Sequence, residues 1–185
     1  RDPNLILAVG RILPHKGFDR IIRSLKNPLR LTIAGTNYNT NYFRYLTSLA
    51  RSSCCTIEIV EGLTDDQIRK LFRQATLFVH ASTHFDHRGV YYPKPELLGL
   101  APLEALSCGT PTLVSTAGAL NELTCISGCL SFTDDDELSA LLSMHANKSL
   151  KMPPADDIHR QVVERYGMKR FGIDLINELL ILGND

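Results

Sequence analysis

The sequence carries no excess of either charge. Its 20 lysines and arginines are matched by 20 aspartates and glutamates, which removes the bulk electrostatic case for a nucleic-acid binder or a membrane-surface protein. No apolar run approaches the ~18–20 residues that cross a bilayer. No CxxC pair faces a second one, and an odd count of five cysteines rules out complete pairing within the chain. Thiols without a disulfide framework point to a reducing, cytosolic compartment. Cys54-Cys55, Cys108, Cys125 and Cys129 read as small buried thiols, and His80, His84 and His87 as loop histidines, so no metal ligand is assigned. Repeats and low-complexity tracts are also absent. What remains is 44% hydrophobic and 22% charged, the profile of an ordinary globular chain, with length for one domain and a substantial core. The opening Arg1-Asp2-Pro3-Asn4 reads as linker, with the expectation that an N-terminal region precedes it.

Short apolar runs alternate with longer amphipathic ones. Leu5 to Val9 is continuously apolar and ends at Gly10, as suits a strand buried on both faces. Further strands are expected over Leu29–Gly35, Thr56–Val60, Thr76–His80, Thr112–Ser115 and Cys129–Phe132. Helices are expected from Phe18 to Leu25, Tyr42 to Ala50, Asp65 to Phe72 and Asp136 to Met144, with Asp65 and Asp66 placed to complement the helix dipole. Strands separated by helices imply βαβ units, hence an α/β fold: a Rossmann-like open parallel sheet with helices on both faces. Lys151-Met152-Pro153-Pro154 is a break, dividing a nucleotide-sugar-binding domain over 1–150 from C-terminal helices over 151–185. The last of these, Phe171 to Leu182, is apolar enough to pack on the sheet domain or on the missing N-terminal one.

Ligands of open parallel sheets sit beyond the carboxyl ends of the strands. After the first strand stands Gly10-Arg11-Ile12-Leu13-Pro14-His15-Lys16-Gly17. It has neither the GxGxxG turn nor the Lys-Ser/Thr of a Walker loop. It offers two cations, Arg11 and Lys16, where a phosphate would lie; on this loop alone, solvated surface charges explain them equally well. A more specific stretch runs from Glu96 through Leu97-Leu98-Gly99-Leu100-Ala101-Pro102-Leu103 to Glu104, and on to Cys108-Gly109-Thr110-Pro111. Gly99 permits a tight turn and Pro102 suits a first helical turn. Backbone N–H groups around Leu98 to Leu100 would then face outward as an anion site. In isolation, Glu104 within the first turn also reads as a cap, and Glu96 as a solvated loop carboxylate.

Taken together, VGRxxxxKG, then Ile33-Ala34-Gly35, then Glu-x7-Glu running into EAxxxGTP resemble the donor-binding, C-terminal half of the GT-B family 4 glycosyltransferases, over roughly Leu5 to Leu142. The resemblance implies a retaining, metal-independent transfer of a hexose from a nucleotide sugar to a glycan, lipid or small-molecule acceptor, with no cofactor besides the donor. It implies that Arg11 and Lys16 hold the diphosphate and that Glu96 contacts the sugar near O3 and O4. It further implies that Glu104 binds the ribose hydroxyls and that backbone groups of Leu97, Leu98, Gly99 and Leu100 touch sugar and phosphate. Gly10, Gly35, Gly62 and Leu63 would line the phosphate and base pockets. Arg11, Lys16 and Glu96 are the catalytic candidates. The acceptor site belongs to the N-terminal domain, which would also make any peripheral membrane contact, so this chain alone should bind donor without transfer.

Two features depart from the family. Leu97-Leu98 replaces the usual Gly-Phe or Pro-Phe. The Ser82–Pro95 loop, with His84, His87, Arg88, Tyr91, Tyr92 and Lys94, is longer than the usual link; it reads either as an acceptor or sugar-pocket element or as a solvent-exposed insertion. The competing readings are a sugar-nucleotide epimerase-like enzyme and a non-catalytic α/β binding domain.

Overall fold

The computed structural model describes residues 1–170 and 172–173. Its strands are β1 (Leu5–Val9), β2 (Arg30–Ala34), β3 (Thr56–Val60), β4 (Leu77–His80), β5 (Thr112–Ser115) and β6 (Cys129–Phe132). They form one sheet in the order β3-β2-β1-β4-β5-β6, with every neighbouring pair parallel. Helices α1 (Phe18–Ser24), α2 (Thr40–Ser52), α3 (Asp65–Gln74), α4 (Leu100–Ser107), α5 (Asp135–Ala146) and α6 (Ala155–Tyr166) flank it. The Rossmann-like α/β architecture expected from the alternating pattern is the one observed.

Alternation along β1 explains why the run Leu5 to Val9 is apolar throughout. Ile6 and Ala8 join a core with Phe18 and Ile21 of α1, Leu46 of α2 and Leu138 of α5. Leu5, Leu7 and Val9 point the other way, to Phe72 of α3 and Ala105 of α4. Successive side chains take opposite faces, so a central strand covered on both sides has no polar position to spare. A third cluster joins Leu106 of α4 and Val114 of β5 to Ile158 and Val162 of α6. The helix expected from Phe171 to Leu182 falls almost wholly outside the described residues, of which 172–173 are helical.

Helix starts follow local chemistry. Asn39 accepts from the Tyr42 N–H at α2, and Thr64 with Gln67 forms a reciprocal capping box at α3. Asp134 accepts from the Glu137 N–H at α5. Buried Asp19 of α1 accepts a 2.6 Å bond from the Tyr42 hydroxyl and pairs with Arg23 at 2.6 Å, while Arg20 reaches Asp135 of α5 at 2.6 Å. One face of helices is thereby cross-linked. Among the described residues no helix is long and apolar enough to cross a membrane.

A 3-10 turn over Pro14–Lys16 ends at Gly17, whose φ of 66° is left-handed. A β-carbon there would stand 2.0 Å from the Ala81 carbonyl oxygen, so only glycine lets the loop after β1 close onto the end of β4. Gly62 shares the left-handed conformation, with φ of 73°, but has open space around it. Gly62→Ala should therefore cost only the backbone strain, about 1 kcal/mol, or roughly 2–4 °C in Tm. Gly17→Ala adds a backbone clash and should cost roughly 2 kcal/mol or more, about twice the Tm loss. Thermal melts of the two variants check this; equal losses would contradict the close approach.

Candidate functional site

Strand order reverses between β1 and β4: β1 leads outward to β2 and β3, and β4 to β5 and β6. At such a switch point the loops leaving the two carboxyl ends diverge and open a crevice. The loops there are Gly10–Gly17 and Ser82–Gly99, the two that carry most of the candidate residues.

The centre of the crevice is Glu96. Its Oε2 accepts from Lys16 Nζ at 2.7 Å and contacts His80 Nε2 at 2.6 Å, while its Oε1 accepts a long 3.3 Å bond from the Leu97 N–H. The Lys16 and Glu96 side chains are only 10% and 13% exposed, so the pair is substantially desolvated. Burial alone would raise the Glu96 carboxyl, but hydrogen bonds and charge from His80 and Lys16 hold it well below the ordinary carboxylate range. Burial also pushes the His80 imidazole below its usual value, despite the pull of Glu96. A neutral ring within 2.6 Å of a carboxylate carries its proton on the facing nitrogen, so Nε2–H is the donor. Ser82 Oγ lies 3.1 Å from the same nitrogen.

A pocket of about 280 Å³ opens beside this cluster, lined by Gly10, Arg11, Lys16, His80, Glu96, Leu97, Leu98 and Leu100, with Val9 and Ala101 beneath. Arg11 is exposed, and its guanidinium stands 5.9 Å from the Tyr38 ring. Gly99, with φ of 69°, precedes α4 as its N-cap residue, and among the described residues no side chain caps that helix. Its first N–H groups are thus left to an outside acceptor, and Pro102 has none to satisfy. Leu97, Leu98 and Leu100 are 67%, 69% and 62% exposed, an apolar rim around a charged floor.

Glu104 stands one turn further on. It is the fifth residue of α4, in the second turn and not the first, and it does not cap the helix. Its exposed carboxylate lines a neighbouring pocket of about 310 Å³ with Asp65, Ile68, Arg69, Phe72 and Cys108. Val9 lines both pockets, so the two adjoin. Burial, and then the Asp65 charge, raise the Glu104 carboxyl above its usual value. Gly62 and Leu63 lead from β3 into α3, the helix that forms one wall of this second pocket. Gly35 meets the backbone of Gly10: a β-carbon on it would stand 1.8 Å from the Gly10 carbonyl oxygen. That contact accounts for a glycine here by packing alone.

The histidines have three separate surroundings. His80 is buried at the end of β4, where the strand expected over Thr76–His80 closes, and does not join His84 and His87 in the loop. His84 pairs with the Tyr92 carbonyl oxygen at 3.0 Å, and His87 stacks on Tyr45 of α2 at 4.3 Å. The Ser82–Pro95 loop is itself ordered. Asp86 accepts from the N–H groups of Arg88 and Val90 and from the Tyr92 hydroxyl, and Phe85 bridges antiparallel to Tyr91. A larger cavity of about 460 Å³ lies at the opposite edge of the sheet, lined by Arg1, Arg30 and Glu58 among others. It sits by the starts of β1, β2 and β3, away from the crevice. Among the described residues no group of three or more His, Cys, Asp or Glu is placed to hold a metal ion.

Known proteins are similar to this chain in sequence and in architecture. Residues 1–143 match the family described as glycosyl transferases group 1. An uncharacterized glycosyltransferase of Methanocaldococcus jannaschii is 32% identical over 129 residues, covering 66% of this chain and 30% of that protein. Alpha-maltose-1-phosphate synthase of Mycobacterium tuberculosis is 29% identical over 180 residues, covering 90% of this chain and 42% of that one. The chain thus spans less than half the length of these relatives. In fold it is similar to Anabaena HepE solved with UDP-glucose, with a TM-score of 0.77 at 17% identity, over 95% of this chain and 48% of that one. The match over three quarters of its length makes this chain a member of the glycosyl transferases group 1 family.

Proposed function

We propose that this chain is the sugar-nucleotide-binding half of a two-domain retaining glycosyltransferase, and that alone it binds donor without completing transfer. The observation that carries this reading is the convergence of Arg11, Lys16, Glu96 and the uncapped start of α4 on one pocket beside the Glu104 pocket. The name of the M. jannaschii relative supports glycosyl transfer, and the UDP and UDP-glucose complexes of HepE support a nucleotide sugar as ligand.

In this reading the diphosphate lies between Arg11, Lys16 and the first N–H groups of α4. When the bond from the sugar C1 to the diphosphate oxygen breaks, negative charge grows on the leaving group, where positive potential is already in place. Glu96 accepts from sugar hydroxyls and holds the ring, and Glu104 accepts from the ribose. Fixing the donor in this way is itself catalytic. Gly62 and Leu63 reach toward the base, and the acceptor enters from the N-terminal domain of the same protein. That domain would supply the second wall of the cleft, so the isolated chain should give no sugar transfer. Donor turnover without acceptor would point to an epimerase-like enzyme instead. Five cysteines without a disulfide support a reducing compartment, which we take to be the cytoplasm.

Two measurements test the roles. Arg11→Ala removes a cation that has no carboxylate partner among the described residues, so it should weaken nucleoside diphosphate binding by roughly 1.5–3 kcal/mol and leave the nucleoside unaffected in calorimetry. Equal losses for both ligands would remove Arg11 from the phosphate site. Glu104→Gln should weaken diphosphate and sugar nucleotide alike, by about 1–2 kcal/mol. Glu96→Gln should weaken only the sugar nucleotide, by a similar amount. Equal weakening of both ligands by Glu96→Gln would contradict the division of labour.

A further inference from the structure

The charged clusters outside the crevice are accounted for by packing: Asp19, Arg20, Arg23 and Asp135 tie α1 to α2 and α5. His80 is different. It is buried on a central strand, it belongs to none of the motifs that carry the family resemblance, and its ring faces the carboxylate at the middle of the site.

We propose that His80 is a positioning residue, whose Nε2–H fixes the Glu96 carboxylate for the sugar hydroxyls of the donor and keeps it fixed when Lys16 turns to the diphosphate. The inference rests on the donor-site reading above. Glu96 lies outside regular structure, between Pro95 and the Gly99 cap of α4. A carboxylate on such a segment needs an anchor on a rigid element. Its Oε2 has two donors, Lys16 and His80. Lys16 has a competing task, because a diphosphate entering the pocket it lines draws the same ammonium. His80 borders the same pocket, and its Nε2 also lies 3.1 Å from the Ser82 hydroxyl, but it cannot follow a ligand. It sits in β4 between β1 and β5, and the chain after it is pinned where the Ser115 hydroxyl of β5 donates to the Ser82 carbonyl at 2.6 Å. A neutral donor also leaves the carboxylate its full charge. Oε1, engaged only by the long Leu97 bond among the described residues, keeps lone pairs for sugar hydroxyls.

The test titrates the wild-type chain and the variants His80→Phe, His80→Gln, Glu96→Gln and the double variant His80→Phe/Glu96→Gln. The ligands are UDP, GDP and ADP and the glucose conjugate of each. His80→Phe should lose at least about tenfold in affinity for the glucose conjugate and less than about twofold for its diphosphate. His80→Gln, whose side-chain N–H can reach the same oxygen, should regain most of the loss. In the Glu96→Gln background His80→Phe should add nothing. If His80→Phe weakens both ligands equally, or neither while Glu96→Gln still selects against the sugar conjugate, the positioning role is wrong and the donor site stands. Glu96→Gln without that selectivity, or a wild-type chain that binds none of the ligands, overturns the donor-site reading and the inference with it. Should His80→Phe fail to fold, 15N NMR of the wild-type ring decides. A proton on Nε2 alone at neutral pH is expected, and a ring protonated on Nδ1 overturns the proposal.

Discussion

Parallel strands cannot be joined by tight turns, so every crossover in this sheet places its outgoing loop at the same edge. Where the strand order turns back, between β1 and β4, two such loops leave in opposite directions and the edge is open. Glu96 and Lys16 meet across that opening, each carried by one of the diverging loops. The geometry of Gly17, the exposed rim of leucines and the bare start of α4 all make sense as ways of keeping the opening narrow, charged and accessible.

That ion pair is a poor choice for stability alone. Two charges taken largely out of water recover their desolvation only through good geometry and additional hydrogen bonds. Here the additional bond comes from His80, and both partners border a pocket. The arrangement resembles a site held ready for a ligand more than a fastening between loops. The fastening is done elsewhere, by the Asp19, Tyr42, Arg23 and Asp135 contacts among the helices and by the apolar faces of β1, β4 and β5.

Much of this was legible in the residues. β1, β3, β5 and β6 have the bounds read from the residues: β1 is continuously apolar because both its faces are buried, whereas edge strand β3 alternates Ile57 and Ile59 with Thr56 and Glu58. The Gly10–Gly17 loop and the Glu96–Leu100 turn line one pocket, with Glu104 in the adjoining one, since the α/β pattern already places both segments at the carboxyl edge. Three things were hidden. The contact between His80 and Glu96 spans an irregular loop, and no periodicity says where a loop returns. The folding of that loop around Asp86 depends on hydrogen bonds from Arg88, Val90 and Tyr92, a turn chemistry with no distinctive spacing. The 3-10 segment over Gly118–Cys125 carries no clear apolar period, although it buries Leu120 and Leu123. Glu104 fell in the second turn because α4 starts at Leu100, two residues before Pro102.

The central claim is that a nucleotide sugar binds in the crevice between the loops after β1 and β4. Amide hydrogen exchange of the chain, with and without UDP-glucose, GDP-glucose and ADP-glucose at millimolar concentration, tests it most directly. The account predicts that at least one of them slows exchange at residues 10–17, 62–63 and 96–104 and leaves the opposite edge, around Arg30 and Glu58, unchanged. Protection centred on that opposite edge, or none with any of the three, would contradict it.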